Sequence, residues 1–200
     1  DDSSTDATSK VLKKFKKKNF HHIIRKDKRD LSKSCILGFK KSRYNNIVVM
    51  DGDLQHKPSD IKKFLNTFRK IRPDIIVGTR DLFKDKKHNL NIFRLFASRI
   101  LILIVKLLLG SKTSDPMSGF FMFKKKIFTK YKKKLIKKGY KILLDLLYNN
   151  NQKIKVVDVK INFDSRTKGK SKMSVKILFY LIYMIFAKFF IKRKIIKFLQ

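Results

Sequence analysis

Two carboxylates and an amide lie within five residues of one another at the end of a predicted buried strand. The apolar run 46–50 is typical of such a strand, and Asp51, Asp53 and Gln55 follow it at alternate positions. Ligands of open α/β sheets bind just outside the carboxyl ends of strands. Oxygen atoms at this spacing can bind one Mg²⁺ or Mn²⁺ that keeps positions open for substrate phosphates. The alternative is a strand that ends in a polar turn, which Asp and Gly also favour.

The elements that would position these residues alternate between strand and helix. In the first eighty residues the sequence predicts strands at 21–25, 46–50 and 74–78, and helices at 9–18, at 31–44 and from 58 onward. Because the connections are short, this alternation predicts an α/β fold with a mostly parallel sheet. The second half predicts helices at 89–109, 140–148 and 174–190 and strands at 120–123 and 156–163.

The composition combines an ordinary apolar fraction with a formal net charge of +36. Such an excess attracts nucleic acid, anionic membrane surfaces or phosphorylated substrates. The lysines are scattered through almost every segment, whereas nucleic-acid binding favours basic residues clustered on one face with aromatic stacking positions. The single cysteine, Cys35, excludes an internal disulfide, fits a reducing compartment and is expected to be a small buried hydrophobe.

The last segment, 174–200, contains an apolar run at 177–187 between Lys176 and Lys188. A run of this length is too short to span a bilayer and is typical of an interfacial helix. Its aromatic residues and the basic residues 192–194 suit the headgroup region. The alternative is a core helix of a soluble domain.

A series of motifs covers residues 1 to about 173. They are DDSSTDAT at 1–8, DGDLQHKP at 51–58, GTR at 78–80, Arg94 with Ser98, Asp115 with SGF at 118–120, GYK at 139–141, and FDSR with GKSK between 163 and 172. In this order they resemble the family 2 glycosyltransferases of GT-A fold, in the form found in polyprenyl-phosphate sugar synthases, above all dolichyl-phosphate mannose synthases. Two positions depart from that family: Ala7 replaces the usual Gly, and Asp145 stands where Glu is more frequent.

The resemblance implies an inverting glycosyltransferase that moves a sugar, mannose from GDP-mannose, onto a polyprenyl or dolichyl phosphate. A UDP-sugar donor with the same chemistry is the first alternative, and a non-catalytic basic fragment that binds membrane or nucleic acid is the second. The acceptor phosphate is largely dianionic at neutral pH and is already a nucleophile, so the reaction does not require a strong general base.

The resemblance also implies roles for particular residues. The catalytic residues would be Asp51, Asp53 and Asp115. The metal ligands for Mg²⁺ or Mn²⁺ would be Asp53, Gln55 and Asp51. The donor nucleotide would contact Asp1, Asp2, Arg25 and Asp51. The acceptor phosphate would contact Arg80, Arg94, Ser98, Arg166 and Lys172.

The resemblance divides the chain into a GT-A domain at 1–173 and a membrane-associating helix at 174–200. The family's first strand, first helix and second strand have no counterpart before Asp1, so the chain is expected to be an N-terminally truncated form. The expected partners are a nucleotide sugar, a lipid phosphate and a membrane surface, but no nucleic acid. The expected location is the cytoplasmic face of a membrane. The sequence does not identify a protein partner.

Overall fold

The described part of the chain contains seven α-helices, a short 3₁₀ helix (Pro58–Asp60) and four strands. The computed structural model describes residues 1–80, 92–136, 139, 141–149, 154–164 and 175–199, without the side chains of 92–98, 175–177 and 192–199. The helices are α1 (Thr8–Lys13), α2 (Leu31–Lys41), α3 (Ile61–Ile71), α4 (Ile92–Leu109), α5 (Lys125–Tyr131), α6 (Ile142–Leu147) and α7 (Val175–Leu199). The strands are β1 (Asn46–Val49), β2 (Ile75–Thr79), β3 (Phe121–Lys124) and β4 (Val156–Lys160).

The four strands form one mixed sheet in the order β1-β3-β2-β4. β2 and β4 are parallel, and β3 is antiparallel to both β1 and β2. Three strands therefore run in one direction and β3 runs against them, so the sheet is mixed, with one parallel pair and two antiparallel pairs. Phe121, the first residue of β3, lies opposite Val49 and Val77. The loops after β1 and β2 and the loop before β3 consequently meet at one edge of the sheet.

The predicted strand at 21–25 is wrong. The segment is extended, but in the described residues its backbone pairs only with the start of the chain. The amino group of Asp1 donates to Ile23 O at 2.8 Å, its carbonyl accepts from Arg25 N at 2.8 Å, and Ser3 Oγ donates to Arg25 O at 2.5 Å. A strand needs a neighbour along its length to satisfy its backbone groups, and these three bonds do not provide it. The segment instead holds the first residues of the chain against the body of the protein.

Both faces of the sheet are buried, which explains why β2 is apolar at successive positions. Ile75 and Val77 face one core cluster, which also contains Phe39 of α2. Ile76 faces the opposite cluster and packs with Phe64 of α3. The side-chain period of two along β2 thus distributes its residues between two cores.

Helices α4 and α7 pack against each other beside the sheet. Leu101 and Val105 of α4 share a buried cluster with Leu181 and Ile185 of α7 and with Leu144 of α6. One face of α7 therefore belongs to the body of the protein. This packing joins the predicted membrane-associating segment directly to the helices behind the sheet.

A buried ion pair fixes α7 to α6. Lys188 Nζ lies 2.5 Å from Asp145 Oδ1 and 2.5 Å from Asn149 Oδ1. The side chains of Lys188 and Asp145 are 0% and 3% exposed. Asp145 Oδ2 also accepts from Ile136 N at 2.7 Å. The Asp145 carboxylate thus holds both α7 and the chain segment that leads to α6.

Replacing Lys188 with methionine is expected to lower the free energy of unfolding by about 3–5 kcal/mol, because the change leaves Asp145 buried without its cation. Urea unfolding followed by circular dichroism measures the loss. Lys62, an exposed residue of α3, supplies the control Lys62→Met, which is expected to change stability by less than about 0.5 kcal/mol. The double change Lys188→Met with Asp145→Leu should restore most of the stability. Equal stabilities of Lys188→Met and Lys62→Met would contradict the assignment.

Candidate active site

Asp51 lies at the sheet edge in direct contact with the loop that precedes β3. A Cβ built on Gly119 would meet Asp51 Oδ2 at 2.1 Å and Asp51 Cγ at 2.7 Å. Only a residue without a side chain allows the carboxylate to lie there. The Asp51 side chain is 44% exposed, so one side packs on Gly119 and the other faces solvent. The sequence-predicted carboxylate thus lies at the carboxyl end of β1, open to a ligand.

Asp53 and Gln55 follow in a loop that is tied to residue 164. Gln55 N donates to Asp53 Oδ1 at 3.2 Å, and Leu54 between them adopts φ +63°. Gln55 Nε2 donates to Asp164 O at 3.1 Å, and Asp164 N donates to Gln55 O at 2.9 Å. A metal would bind the oxygen of the Gln55 amide. Within the described ranges, no three His, Cys, Asp or Glu side chains converge as a ready metal site.

His56 anchors this loop in the protein. Its ring lies between Phe120 and Phe163, with centroid distances of 5.2 Å and 5.1 Å, and the residue is 3% exposed. His56 Nε2 is 3.8 Å from Asp51 Oδ2. The aromatic contacts fix the end of the loop that begins with Asp51.

Arg80, the residue after β2, forms a bidentate ion pair with Asp115. Its Nε donates to Oδ2 at 2.7 Å and its Nη2 donates to Oδ1 at 3.0 Å. Asp115 is 1% exposed, and its Oδ1 also accepts from Met117 N at 3.3 Å. The Arg80 guanidinium lies 5.2 Å from the centre of the Phe163 ring. These contacts fix the plane of the guanidinium, which still has N–H groups for a ligand because Asp115 takes only two of its five.

The loop that carries Asp115 is held at both ends. Ser118 Oγ donates to Gly78 O at 2.6 Å, which joins the loop to β2. On the other side, Asp158 of β4 accepts from Thr113 Oγ1 at 2.5 Å and from Ser114 N at 2.8 Å. The loop therefore presents Asp115 from a rigid support.

Lys141 is a residue of this site to which the sequence analysis gave no role. Its Nζ donates to Met117 O at 2.8 Å, inside the loop that carries Asp115. Burial lowers the pKa of Lys141, and the Arg80 cation lowers it further, whereas Asp115 and Asp51 act in the opposite direction. The charges of Arg80, Asp115 and Asp51 thus all act on the Lys141 ammonium. The sequence feature that could have pointed to Lys141 is the GYK motif at 139–141, to which no chemical role was assigned.

The aspartates of the first loop are engaged within the protein. Asp2 Oδ1 accepts from Arg25 Nε at 2.8 Å, and Asp2 Oδ2 accepts from Asp30 N at 2.5 Å. Asp1 accepts from the hydroxyl groups of Ser4 at 2.6 Å and Ser9 at 2.7 Å. The Arg25 side chain is 7% exposed and points at Asp2. Its observed contacts therefore orient the loop.

The remaining predicted phosphate ligands are not described. Arg94 and Ser98 belong to the first turns of α4, four residues apart, but their side chains lie outside the described part of the chain. Arg166 and Lys172 lie outside the described residues altogether. Among the described residues, the site therefore consists of the Asp51 loop, the Arg80–Asp115 pair and Lys141.

Comparison with known proteins identifies the family. Residues 1–132 match the family model described as Glycosyl transferase family 2. The chain belongs to glycosyl transferase family 2. Among curated proteins it is similar to dolichol-phosphate mannosyltransferases from Pyrococcus furiosus (34% identity over 182 residues, 90% of the chain and 51% of the relative) and Mycosarcoma maydis (30% over 185 residues, 90% and 61%). The chain thus spans between one half and two thirds of these relatives.

Solved structures of a glucosyl-3-phosphoglycerate synthase resemble the fold. Glucosyl-3-phosphoglycerate synthase from Mycobacterium tuberculosis in complex with phosphoglyceric acid matches with a TM-score of 0.65 at 12% identity, covering 94% of this chain and 65% of that one. Its complex with Mn²⁺, UDP and glucosyl-3-phosphoglycerate matches with a TM-score of 0.62, the same identity and the same coverage. At this identity the likeness concerns the fold alone. With the family match, it confirms the predicted GT-A fold.

Proposed function

We propose that this family 2 glycosyltransferase moves mannose from GDP-mannose onto a polyprenyl or dolichyl phosphate at a membrane surface. The relatives are named dolichol-phosphate mannosyltransferases, which supports mannose as the transferred sugar and dolichyl phosphate as the acceptor. The observation that carries the proposal is the arrangement at the sheet edge. The half-exposed carboxylate of Asp51 follows β1, and the oriented guanidinium of Arg80 follows β2. Such a site can hold a metal-bound diphosphate on one side and an anionic acceptor on the other.

Asp51, Asp53 and Gln55 would hold a divalent cation in the donor half of the site. Their donor atoms are all oxygen, which suits Mg²⁺ or Mn²⁺, and the open side of Asp51 leaves access from solvent. A structural neighbour is named as a complex with Mn²⁺ and UDP, which supports a divalent cation. When bound, this cation would neutralise the leaving diphosphate.

Asp1 and Asp2 would contact the base and the ribose of the donor nucleotide. Both carboxylates have fixed orientations, since Ser4 and Ser9 hold Asp1 and Arg25 holds Asp2. We assign Arg25 to the donor site through Asp2, whose carboxylate it orients. Because these side chains are already ordered, less conformational entropy is lost when the nucleotide binds.

Arg80 would bind the acceptor phosphate, together with Arg94, Ser98, Arg166 and Lys172. A guanidinium binds phosphate oxygens with paired N–H groups, and Asp115 fixes the direction in which Arg80 offers them. Asp115 would act by positioning Arg80, because it is buried from solvent and both its oxygens accept from that guanidinium. The acceptor phosphate would attack as a dianion: one of its oxygens forms the bond to the anomeric carbon of the sugar while the bond from that carbon to the nucleoside diphosphate breaks, and the nucleoside diphosphate leaves with the electron pair.

Helices α4 and α7 would place the site at the membrane. On their outer faces lie exposed apolar side chains at helical spacing: Ile100, Leu103 and Leu107 of α4, and Phe179, Tyr183, Phe186 and Phe190 of α7. Such a surface fits the headgroup boundary on the cytoplasmic side, where the many lysines would meet anionic lipids. In the part of the chain that the structure describes, no helix has both the length and the hydropathy needed to cross a bilayer.

The donor and the metal requirement are testable together. With polyprenyl phosphate in detergent, labelled GDP-mannose is expected to yield a mannosyl lipid. Removal of divalent cations with EDTA should lower the rate at least ~10²-fold because the leaving diphosphate loses its counter-charge. Mn²⁺ or Mg²⁺ should restore it.

Labelled UDP-glucose in a parallel reaction decides between the donors. A glycolipid product from UDP-glucose alone would favour the UDP-sugar alternative. Absence of any lipid product from either donor would contradict the proposal. Full activity in EDTA would contradict the metal assignment.

A further inference from the structure

The ammonium group of Lys141 lies inside the site without a carboxylate of its own. In the described part of the chain its Nζ donates to one main-chain carbonyl, that of Met117, and forms no salt bridge. Lys141 is half-buried, and an ammonium withdrawn from water is costly unless it is paired with an anion. Asp115 offsets this charge only in part, because its single negative charge is paired with Arg80.

The charges around Lys141 indicate what is missing. Among the charges that act on the pKa of Lys141, the Arg80 cation has a larger effect than either the Asp115 or the Asp51 carboxylate taken singly. Two cations that lie near each other repel, and an anion between them offsets the repulsion. A phosphate dianion in contact with Arg80 would compensate both charges at once. Among the described residues, Met117 O takes one of the three N–H groups of the Lys141 ammonium, which leaves two for such a ligand.

We infer that Lys141 is a further phosphate-binding residue of this site and that it holds the acceptor phosphate together with Arg80. This inference rests on the proposed function, because the polyprenyl phosphate is the anion that Arg80 would bind. The donor diphosphate is the other anion of the reaction, and it belongs with the metal that Asp51, Asp53 and Gln55 would hold, whereas Lys141 Nζ contacts the loop whose Asp115 orients Arg80.

The chain around Lys141 is anchored on both sides. Before it, Gly139 N donates to Asp30 Oδ2 at 3.0 Å, and Gly139 O accepts from Ser32 N at 2.9 Å. After it, the first turn of α6 carries Asp145, which pairs with Lys188 of α7. The ammonium is therefore held in place before the ligand arrives, which limits the reorganisation cost of binding.

The test compares three variants of the protein at its full natural length. Lys141→Gln keeps a donor for the Met117 carbonyl but removes the charge, and Lys141→Arg keeps the charge. Lys133→Met removes one charge from an exposed position of the preceding segment. Lys141→Gln is expected to raise the KM for polyprenyl phosphate by about 10- to 100-fold, as loss of a charged hydrogen bond does. The KM for the donor should stay within about twofold, Lys141→Arg should recover part of the loss, and Lys133→Met should match the parent.

Calorimetric titration with a short, water-soluble polyprenyl phosphate supplies a readout that does not depend on turnover. Weaker binding to Lys141→Gln at an unchanged melting temperature supports the inference. An unchanged acceptor KM and affinity would overturn it, as would a rise confined to the donor KM. If the parent neither binds the short lipid phosphate nor glycosylates any polyprenyl phosphate, the proposed function itself fails. A parent that does both, with an equally active Lys141→Gln variant, refutes the role of Lys141 alone.

Discussion

Replacing Gly119 with alanine is expected to lower kcat/KM by about 10²- to 10³-fold while the protein stays folded. The added methyl group would lie 2.1 Å from Asp51 Oδ2, well inside the sum of the atomic radii. Gly119 lies in a loop fixed by Ser118, whereas the Asp51 side chain is partly exposed and can rotate away. The Asp51 carboxylate is thus the group that moves. Because it is the proposed ligand of the donor metal, its displacement weakens metal binding. Steady-state kinetics and a thermal melt separate this displacement from unfolding.

A second glycine provides the control. A Cβ on Gly38, an exposed residue of α2, would meet nothing within 4 Å. Gly38→Ala should therefore stabilise the helix by roughly 0.5–1 kcal/mol and leave the kinetics unchanged. A higher Mn²⁺ concentration should rescue Gly119→Ala in part, because the metal ligand is displaced but present. Parent-like kinetics in Gly119→Ala would show that Asp51 has room to keep its function in a second position.

The place of Asp51 and Arg80 could be predicted from the sequence because strand ends carry positional information. Each follows an apolar run, and strands that run in the same direction end at the same edge of a sheet. The direction of β3 could not be predicted in this way. Its four residues are Phe121–Lys124, and side-chain periodicity is the same in a parallel and an antiparallel strand. The direction of β3 depends on which end of the sheet the chain reaches after α4, and the local sequence of β3 does not contain this information.

Local sequence also does not predict a contact between residues that are far apart along the chain. Residues 21–25 have the composition of a strand, yet among the described residues their backbone pairs only with Asp1 and the Ser3 hydroxyl. Lys188 resembles any other flanking lysine of an amphipathic helix, but Asp145 and Asn149 bury it. In a chain with 51 lysines and arginines, charge alone does not distinguish Lys141 and Lys188 from solvated residues. Only the tertiary contacts do.

Replacing Asp115 with asparagine is expected to lower kcat/KM for the acceptor about 10²-fold, mainly by raising its KM. The amide would turn an N–H group towards Arg80, which offers only N–H groups in return, so the bidentate pair would be lost. The guanidinium would then no longer have the fixed direction in which it meets the phosphate. Asp158→Asn is the matched control, since Asp158 holds the same loop through Thr113 and Ser114 without touching Arg80. It should lower the melting temperature by a few degrees and leave the acceptor KM within about threefold.

The kinetics of Asp115→Asn also decide between the two chemical roles open to this residue. A general base must be accessible to the proton that it removes, whereas Asp115 is 1% exposed and accepts three hydrogen bonds. If it positions Arg80, the pH dependence of kcat should keep its form and the loss should lie in the acceptor KM. If it were the base, kcat would fall at an unchanged KM and the acidic limb of the pH profile would disappear. Because a phosphate dianion needs no deprotonation to attack, we expect the first result.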